Sequence, residues 1–388
     1  MQETTPLVLL TKFVAAREKN PRWSLFALKS EVVRLLPDNR VNICYHHRLP
    51  QRETVEIWYK TAESRAYYCG LMKCGQIWSC PICAQRAALI RREMLRTAIE
   101  NSRTKYVPLM VTYTARHYAG MRLSHLLAGM TAAYRTMRQA RIWRTYKDEY
   151  LVRGEIRAVE ITFGDAGWHP HFHTVLFLDK SILEYYKRDN GEYDLFELRG
   201  SLERHLTPEW IASLNAHKLT AENGPALNVK SGWEKLTDYI TKGGEIMPTT
   251  RSKWGLPEEM TMGQLKQSKR DGESPWQLLA RSFCGESASG DLFREYVSAT
   301  KGKSSLQWTP GLKAELGVMI DEEREIATEE GEARDILLSV LTTADWRAVV
   351  ETGAEGILLD KASTGDPAEV AKIVAEAYKR QAEPISLV

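Results

Sequence analysis

Three histidines alternate with other residues in the segment GWHPHFHTVLFLD, from Gly167 to Asp179. If this segment is a β-strand, His169, His171 and His173 point to one face and Phe172 points to the other. Two imidazoles one strand period apart can bind the same divalent ion. A His-x-His pair can also be an ordinary surface or hydrogen-bonded pair, so the interpretation depends on its neighbours.

A carboxylate precedes the histidines on what is predicted to be a paired strand. Between the segments EIRAVEITF and HFHTVLFLD lies GDAGWHP, which begins with GDAG, a sequence typical of a compact hairpin turn. A turn of two or four residues places Glu160 opposite His171, with Cβ atoms about 5 Å apart. An odd-length turn would move Glu160 to the other face. We therefore predict a metal site formed by Glu160, His171 and His173, with His169 as a bystander on the same face.

Small β-barrel metalloenzymes of the cupin type also use a His-x-His pair. Their sites require a glutamate a few residues downstream on the same strand. Here the chain continues Thr-Val-Leu-Phe-Leu and reaches no carboxylate before Asp179. This pattern argues against a cupin site.

Four cysteines lie within a short segment, at Cys69, Cys74, Cys80 and Cys83. Such a cluster in a reducing compartment indicates a tetrahedral structural zinc site, which fixes a loop and keeps no open coordination position. A redox Cys-x-x-Cys pair would leave the first two cysteines unexplained. The remaining cysteines, Cys44 and Cys284, are interpreted as incidental.

A basic amphipathic helix is predicted directly after the cysteines, over AQRAALIRREMLRTAIENS. Four of its arginines are candidates for contacts to a DNA backbone, which position a protein rather than read sequence: Arg86, Arg91, Arg92 and Arg96. A solvated helix face explains the same pattern. Several of the 11 tryptophans adjoin basic residues, an arrangement that suits either base stacking or core packing.

The predicted elements follow the order β-α-β-β-α-β-α through the middle of the chain. This order favours an α+β fold, with a central antiparallel sheet and helices on one face. We predict five segments: a basic region over 1–60, a zinc-binding element and basic helix over 61–104, a core over 105–248, an accessory DNA-binding region over 249–318, and an acidic helical segment over 319–388.

The charge of the chain is unevenly distributed. The net charge is +3, yet from Asp321 onward there are 16 acidic residues against 7 basic ones. The body of the chain is therefore basic, as is common for proteins that bind nucleic acids. The mean hydropathy is −0.38, no apolar run is long enough to span a membrane, and the first residues lack the basic region of a secretory signal. We expect a cytoplasmic protein with no membrane partner.

The segment LTDYITKGG places Tyr239 and Lys242 three residues apart, on one face of a predicted helix. Taken with the strand MVTYT, the segment GWHPHFHTVL and the cysteine segment YYCGLMKCGQIWSCPICAQR, this motif order resembles the HUH endonuclease superfamily. More narrowly, it is similar to the rolling-circle replication initiators of plasmids. The resemblance extends over roughly residues 65–318 and leaves the acidic segment unmatched.

The resemblance implies a fold, a reaction and a set of partners. It implies a five-stranded antiparallel sheet of the RNA-recognition or ferredoxin-like kind, and Mg²⁺ or Mn²⁺ held by His171, His173 and Glu160. Tyr239 is the implied nucleophile, which forms a 5′-phosphotyrosyl link with one strand of single-stranded or cruciform origin DNA. Lys242 would assist it, and a host helicase and polymerase are the implied partners.

The chain departs from some of these relatives at the residue that activates water for termination. Lys235 stands where they have a glutamate, and Glu234 is the neighbouring candidate. Two other interpretations stay open. One is a different HUH enzyme, a transposase or a conjugative relaxase, and the other is a non-catalytic zinc-containing DNA-binding protein.

Overall fold

The computed structural model describes residues 21–222, 226–231, 272–320 and 335–382, together with a few positions between 12 and 19. The chain forms two compact units. The first unit comprises residues 1–87, 278–294 and 321–388, and the second comprises 88–277 and 295–320. Parts of four predicted segments, 1–60, 61–104, 249–318 and 319–388, therefore share the first unit.

The strands in chain order are β1 (Val55–Lys60), β2 (Arg65–Cys69), β3 (Tyr106–Thr114), β4 (Val152–Gly164), β5 (Gly167–Asp179), β6 (Leu227–Ser231), β7 (Leu306–Trp308) and β8 (Ile336–Leu341). The helices are α1 (Pro21–Leu35), α2 (Pro81–Ser102), α3 (Leu123–Gln139), α4 (Arg141–Glu149), α5 (Leu195–Ala216), α6 (Pro275–Phe283), α7 (Ser287–Thr300), α8 (Leu312–Glu315), α9 (Thr343–Glu351), α10 (Glu355–Ala362) and α11 (Pro367–Ala382). Among the described residues, no helix is both long and apolar enough to cross a bilayer.

The second unit is built on a five-stranded sheet with the order β6-β3-β5-β4-β7. Every neighbouring pair in this sheet is antiparallel. The long central strands are rich in β-branched and aromatic residues, which suit a pleated surface buried on both sides. The predicted α+β class with a central antiparallel sheet is confirmed.

Helices cover both faces of this sheet, so the prediction of helices on one face was wrong. On one face, Met94 and Leu95 of α2 join Met110 and Val175 of the sheet in a buried cluster. On the opposite face, Tyr113 of β3 makes edge-to-face contacts with Tyr134 of α3 and Trp210 of α5. Because the middle strands are apolar on both sides, each face needs its own cover.

The first unit contains a second antiparallel sheet with the order β2-β1-β8. Strand β8 comes from the C-terminal segment, which was predicted to be helical. The apolar run ILLSVL is short, and periodicity alone does not separate a short buried strand from a helix. The acidic C-terminal segment is therefore an integral part of this sheet.

Helix α10 of the C-terminal segment packs tightly on α1 at the start of the chain. Gly356 allows this approach, because a Cβ there would lie 2.4 Å from the Cα of Trp23. The carboxylate of Asp360 accepts hydrogen bonds from the backbone N–H groups of Arg22 and Trp23, at 3.2 and 3.0 Å. These bonds satisfy N–H groups at the first turn of α1 that lack partners inside the helix.

Candidate functional site

The β4–β5 hairpin has the register that was predicted from its turn. Gly164 pairs with Gly167, which leaves Asp165 and Ala166 as a two-residue turn, and Glu160 lies directly opposite His171. Gly167 has a φ of +85°, a conformation that glycine adopts without the steric cost of a Cβ. The two-residue turn therefore determines that Glu160 points to the same face of the sheet as His171.

Replacing Gly167 with alanine is expected to destabilise the hairpin by about 1–2 kcal/mol, the cost of a left-handed conformation for a residue with a Cβ. An added Cβ would also lie 3.2 Å from the carbonyl oxygen of Tyr118. Chemical denaturation measures the change. Gly272→Ala is the control, since its added Cβ makes an ordinary 3.4 Å contact with Thr162. Equal stability of the two variants would contradict the prediction.

His173 is fixed by hydrogen bonds at both ring nitrogens. Its Nε2 lies 2.7 Å from Oε2 of Glu160, and its Nδ1 lies 3.2 Å from Oγ1 of Thr112 on β3. The side chains of His173 and Glu160 are only 5% and 13% exposed. A second hydrogen bond that orients a ligand imidazole is a common feature of metal sites.

His171 is half-buried, and its buried Nδ1 atom has no hydrogen-bond partner. Burial, with the nearby His169 and His173, lowers the pKa of His171 to about 3. The ring is therefore neutral at physiological pH and has a lone pair available for an ion. A buried nitrogen without a partner is costly, and a bound cation would remove this cost.

A fourth histidine, His117, extends the row formed by His169, His171 and His173. The His169 ring lies 3.9 Å from that of His171 and stacks on His117 at 4.0 Å between centroids. Burial and then His117 lower the pKa of His169 to about 4. His117 was missed because it follows β3, more than fifty residues before the motif, with no spacing that marks it.

The predicted ligands Glu160, His171 and His173 lie on one face of the sheet, but their ligand atoms do not all lie close enough together to share one ion. Within the described ranges, only the cysteine cluster contains three or more candidate ligand atoms that all lie within 4.8 Å of one another. His171 must therefore rotate about its side-chain bonds to share an ion with Glu160 and His173. Its unpartnered nitrogen and the oxygen and nitrogen donors suit a divalent cation.

Replacing His171 with alanine is expected to weaken Mn²⁺ binding at least tenfold, the lower end of what perturbing a metal site costs. Isothermal titration of the zinc-loaded chain with Mn²⁺ measures the affinity. His125→Ala is the matched control, because His125 is exposed on α3. If both variants bind Mn²⁺ as the unmodified chain does, His171 is not a ligand.

Four cysteines converge in the first unit, but they are not the four predicted. The Sγ atoms of Cys44, Cys74, Cys80 and Cys83 form one buried group. Sγ–Sγ distances of 3.6 Å join Cys83 to Cys44 and Cys74, and Cys80 to Cys44. Four thiolates at 2.3 Å from a tetrahedral zinc lie about 3.8 Å apart. The geometry fits such an ion.

The prediction that Cys69 was a member, and Cys44 incidental, was wrong. The segment after Cys44 runs back along the segment after β2. Tyr45 donates its N–H to Met72 and Met72 donates to His47, each at 2.8 Å. This pairing carries Cys44 to Cys74, whereas Cys69 is the last residue of β2 and pairs with Glu56. Hydrogen bonds from the other three thiols hold the pKa of Cys83 well below its usual range.

The four predicted DNA-contact arginines lie on α2, and all are half-buried. Arg91 donates a hydrogen bond to Oγ of Ser305, and Arg96 forms an ion pair with Glu93 at 3.5 Å. Arg91 and Arg96 are thus engaged by the chain itself, and the DNA-contact role of the four arginines stays a prediction. Tyr239, Lys242 and Glu234 lie outside the described residues.

The chain is similar to replication proteins. A protein-family profile described as "Replication protein" matches residues 72–197. "Protein rep" from Streptomyces lividans is 25% identical in an alignment that covers 82% of this chain and 82% of that protein. No solved structure matches the chain.

A second relative matches a shorter part of the chain. "Neomycin resistance protein" from Streptomyces cyanogenus is 32% identical in an alignment that covers 31% of this chain and 34% of that protein. The profile match at residues 72–197 includes Glu160, His171 and His173 and three of the four clustered cysteines. Cys44 and Tyr239 lie outside it.

Proposed function

We propose that this chain initiates rolling-circle replication of a plasmid by nicking one DNA strand through Tyr239 and later rejoining it. The observation that carries the proposal is the hairpin register, which sets Glu160 beside two histidines. The similarity to replication proteins over residues 72–197 supports the biological setting. A transposase or relaxase would use the same chemistry, but neither comparison names one.

The three polar side chains have distinct tasks in this proposal. Oε2 of Glu160 and Nε2 of His173 lie 2.7 Å apart, and a bound ion would take the place of the hydrogen bond between them, while Thr112 fixes the opposite nitrogen of His173. His171 supplies a neutral nitrogen in a buried position. When bound by these residues, Mg²⁺ or Mn²⁺ supplies positive charge that offsets the charge developing on the non-bridging phosphate oxygens.

Tyr239 is the proposed nucleophile. Its hydroxyl oxygen forms a bond to phosphorus, the bond from phosphorus to the 3′-oxygen breaks, and the leaving strand keeps a 3′-hydroxyl. A free tyrosine has a pKa of about 10, so the phenol must lose its proton during attack. Lys242, three residues later, would favour the phenolate by its charge. The phosphotyrosyl link preserves the bond energy, so a 3′-hydroxyl can reseal the strand.

We assign zinc to the cysteine cluster in this proposal. Four buried thiolates with near-tetrahedral spacing leave no open coordination position, so the ion would stabilise the fold and take no part in the reaction. Origin DNA in single-stranded or cruciform form is the proposed substrate, with a host helicase and polymerase as partners. Glu234 remains the candidate for activating water at termination.

The proposal is tested with single-stranded oligonucleotides that tile the replicon encoding this chain. Each is labelled at its 3′ end or its 5′ end and incubated with protein and Mn²⁺. We expect one oligonucleotide to give an SDS-resistant adduct that carries the 3′-end label, and to release a 5′-labelled fragment with a free 3′-hydroxyl. If no adduct forms with either Mn²⁺ or Mg²⁺, the proposal is contradicted, and the chain is instead a DNA-binding protein without nicking activity.

A further inference from the structure

A cationic helix surface lies on the face of the second unit's sheet opposite the histidines. Four exposed side chains form it, at the end of α3 and along α4: Arg135, Arg141, Arg144 and Lys147. Beneath it is Glu155 of β4, which is five residues from Glu160 and so points to the opposite face. We call these four cations the α3–α4 basic surface.

The basic and the aromatic side chains of α4 lie on different sides of the helix. Arg141, Arg144 and Lys147 are spaced by three residues, so on a helix they share a sector of about 120°. The other side carries Trp143, which is buried, and Tyr146, which stacks on the His205 ring at 4.9 Å with an interplanar angle of 4°. The helix thus packs its aromatic residues against neighbouring side chains and exposes its cations.

The surface is anchored by a buried arginine. The guanidinium of Arg138 lies 3.7 Å from the ring centroid of Trp143 and forms a 2.8 Å ion pair with Glu155. Tyr134 donates a hydrogen bond to the same carboxylate at 2.7 Å. These contacts tie α3, α4 and β4 together and fix the position of the exposed cations.

The four cations of the surface have no carboxylate within 4.0 Å among the described residues. Asp148 is their acidic neighbour in the outward sector of α4, so the surface keeps a net positive charge. The α2 arginines differ, because Arg91 and Arg96 have partners within the chain. Uncompensated cations on a fixed helix are suited to bind a polyanion.

We infer that the α3–α4 basic surface binds the phosphate backbone of duplex DNA, independently of base sequence. Proteins that bind single strands present aromatic rings on which bases stack, whereas here Trp143 is buried and Tyr146 already stacks on the ring of His205. Contacts to phosphates alone suit a duplex, whose bases are already stacked. The inference rests on the proposed function only in taking DNA as the ligand, and it places duplex DNA on the face opposite the nicking site.

The test uses a variant with four substitutions: Arg135→Gln, Arg141→Gln, Arg144→Gln and Lys147→Gln. Its affinity for a duplex of about 30 base pairs and arbitrary sequence is measured across a range of salt concentrations. We expect affinity to fall at least about tenfold at moderate salt, and the slope of log affinity against log salt to decrease by about 3–4, since each phosphate contact contributes about 0.9. Cleavage of a short single-stranded oligonucleotide is expected to stay unchanged.

The control removes four exposed cations elsewhere: Lys361→Gln, Lys372→Gln, Lys379→Gln and Arg380→Gln, on or near α11. An equal loss of duplex affinity in both variants would mean that net charge alone is responsible, which overturns the inference. A parallel loss of single-strand cleavage in the α3–α4 variant would overturn it as well. If the unmodified chain cleaves nothing, the proposed function fails, but duplex binding still tests the surface.

Discussion

Replacing Tyr239 with phenylalanine is expected to abolish the covalent DNA adduct and to lower strand cleavage by at least about a thousandfold, as the loss of a nucleophile typically does. Phenylalanine keeps the ring and loses only the hydroxyl oxygen that would bond to phosphorus. Cleavage is measured by the release of the 5′-labelled fragment in Mn²⁺.

Tyr185→Phe is the matched control for this variant. The Tyr185 side chain is 78% exposed and belongs to neither proposed site, so its hydroxyl should be dispensable. An adduct that persists in Tyr239→Phe at the rate of the control would assign the nucleophile to another residue. The histidine site would then need a different reacting partner.

The second large effect is expected at the cysteine cluster. Replacing Cys44 with serine should reduce bound zinc from one ion per chain to far below one and destabilise the first unit by at least about 3 kcal/mol, because a structural zinc site contributes its binding energy to folding. Zinc content by elemental analysis and unfolding by denaturant measure the two effects.

Cys69→Ser is the control that separates the observed cluster from the one predicted by sequence spacing. Cys69 is also buried, so its substitution tests for a general effect of altering a core thiol. We expect this variant to retain zinc. If Cys69→Ser loses zinc and Cys44→Ser keeps it, the assignment of the cluster is wrong.

The sequence was sufficient for the hairpin because all of its determinants are local. The turn contains Gly164 and Gly167, and side chains alternate along each strand, so the position of Glu160 opposite His171 follows from counting residues. The central antiparallel sheet was predictable for the same reason. Strands and helices alternate in the sequence with short connections.

The features that were missed depend on contacts between distant parts of the chain. Cys44 joins the cluster through backbone pairing between residues 45–49 and 70–72, and nothing in the spacing of the cysteines reports that pairing. Strand β8, at Ile336–Leu341, pairs with β1, at Val55–Lys60, although the two strands are far apart in the sequence. His117 reaches His169 because of the path the chain takes after β3.

The location of the covalent bond decides whether Tyr239 is the nucleophile. The adduct formed in Mn²⁺ is digested with nuclease and trypsin, and the modified peptide is sequenced by mass spectrometry. We expect a nucleotide on the phenolic oxygen of Tyr239, within the tryptic peptide LTDYITK. A nucleotide on any other residue, with LTDYITK unmodified, would contradict this expectation.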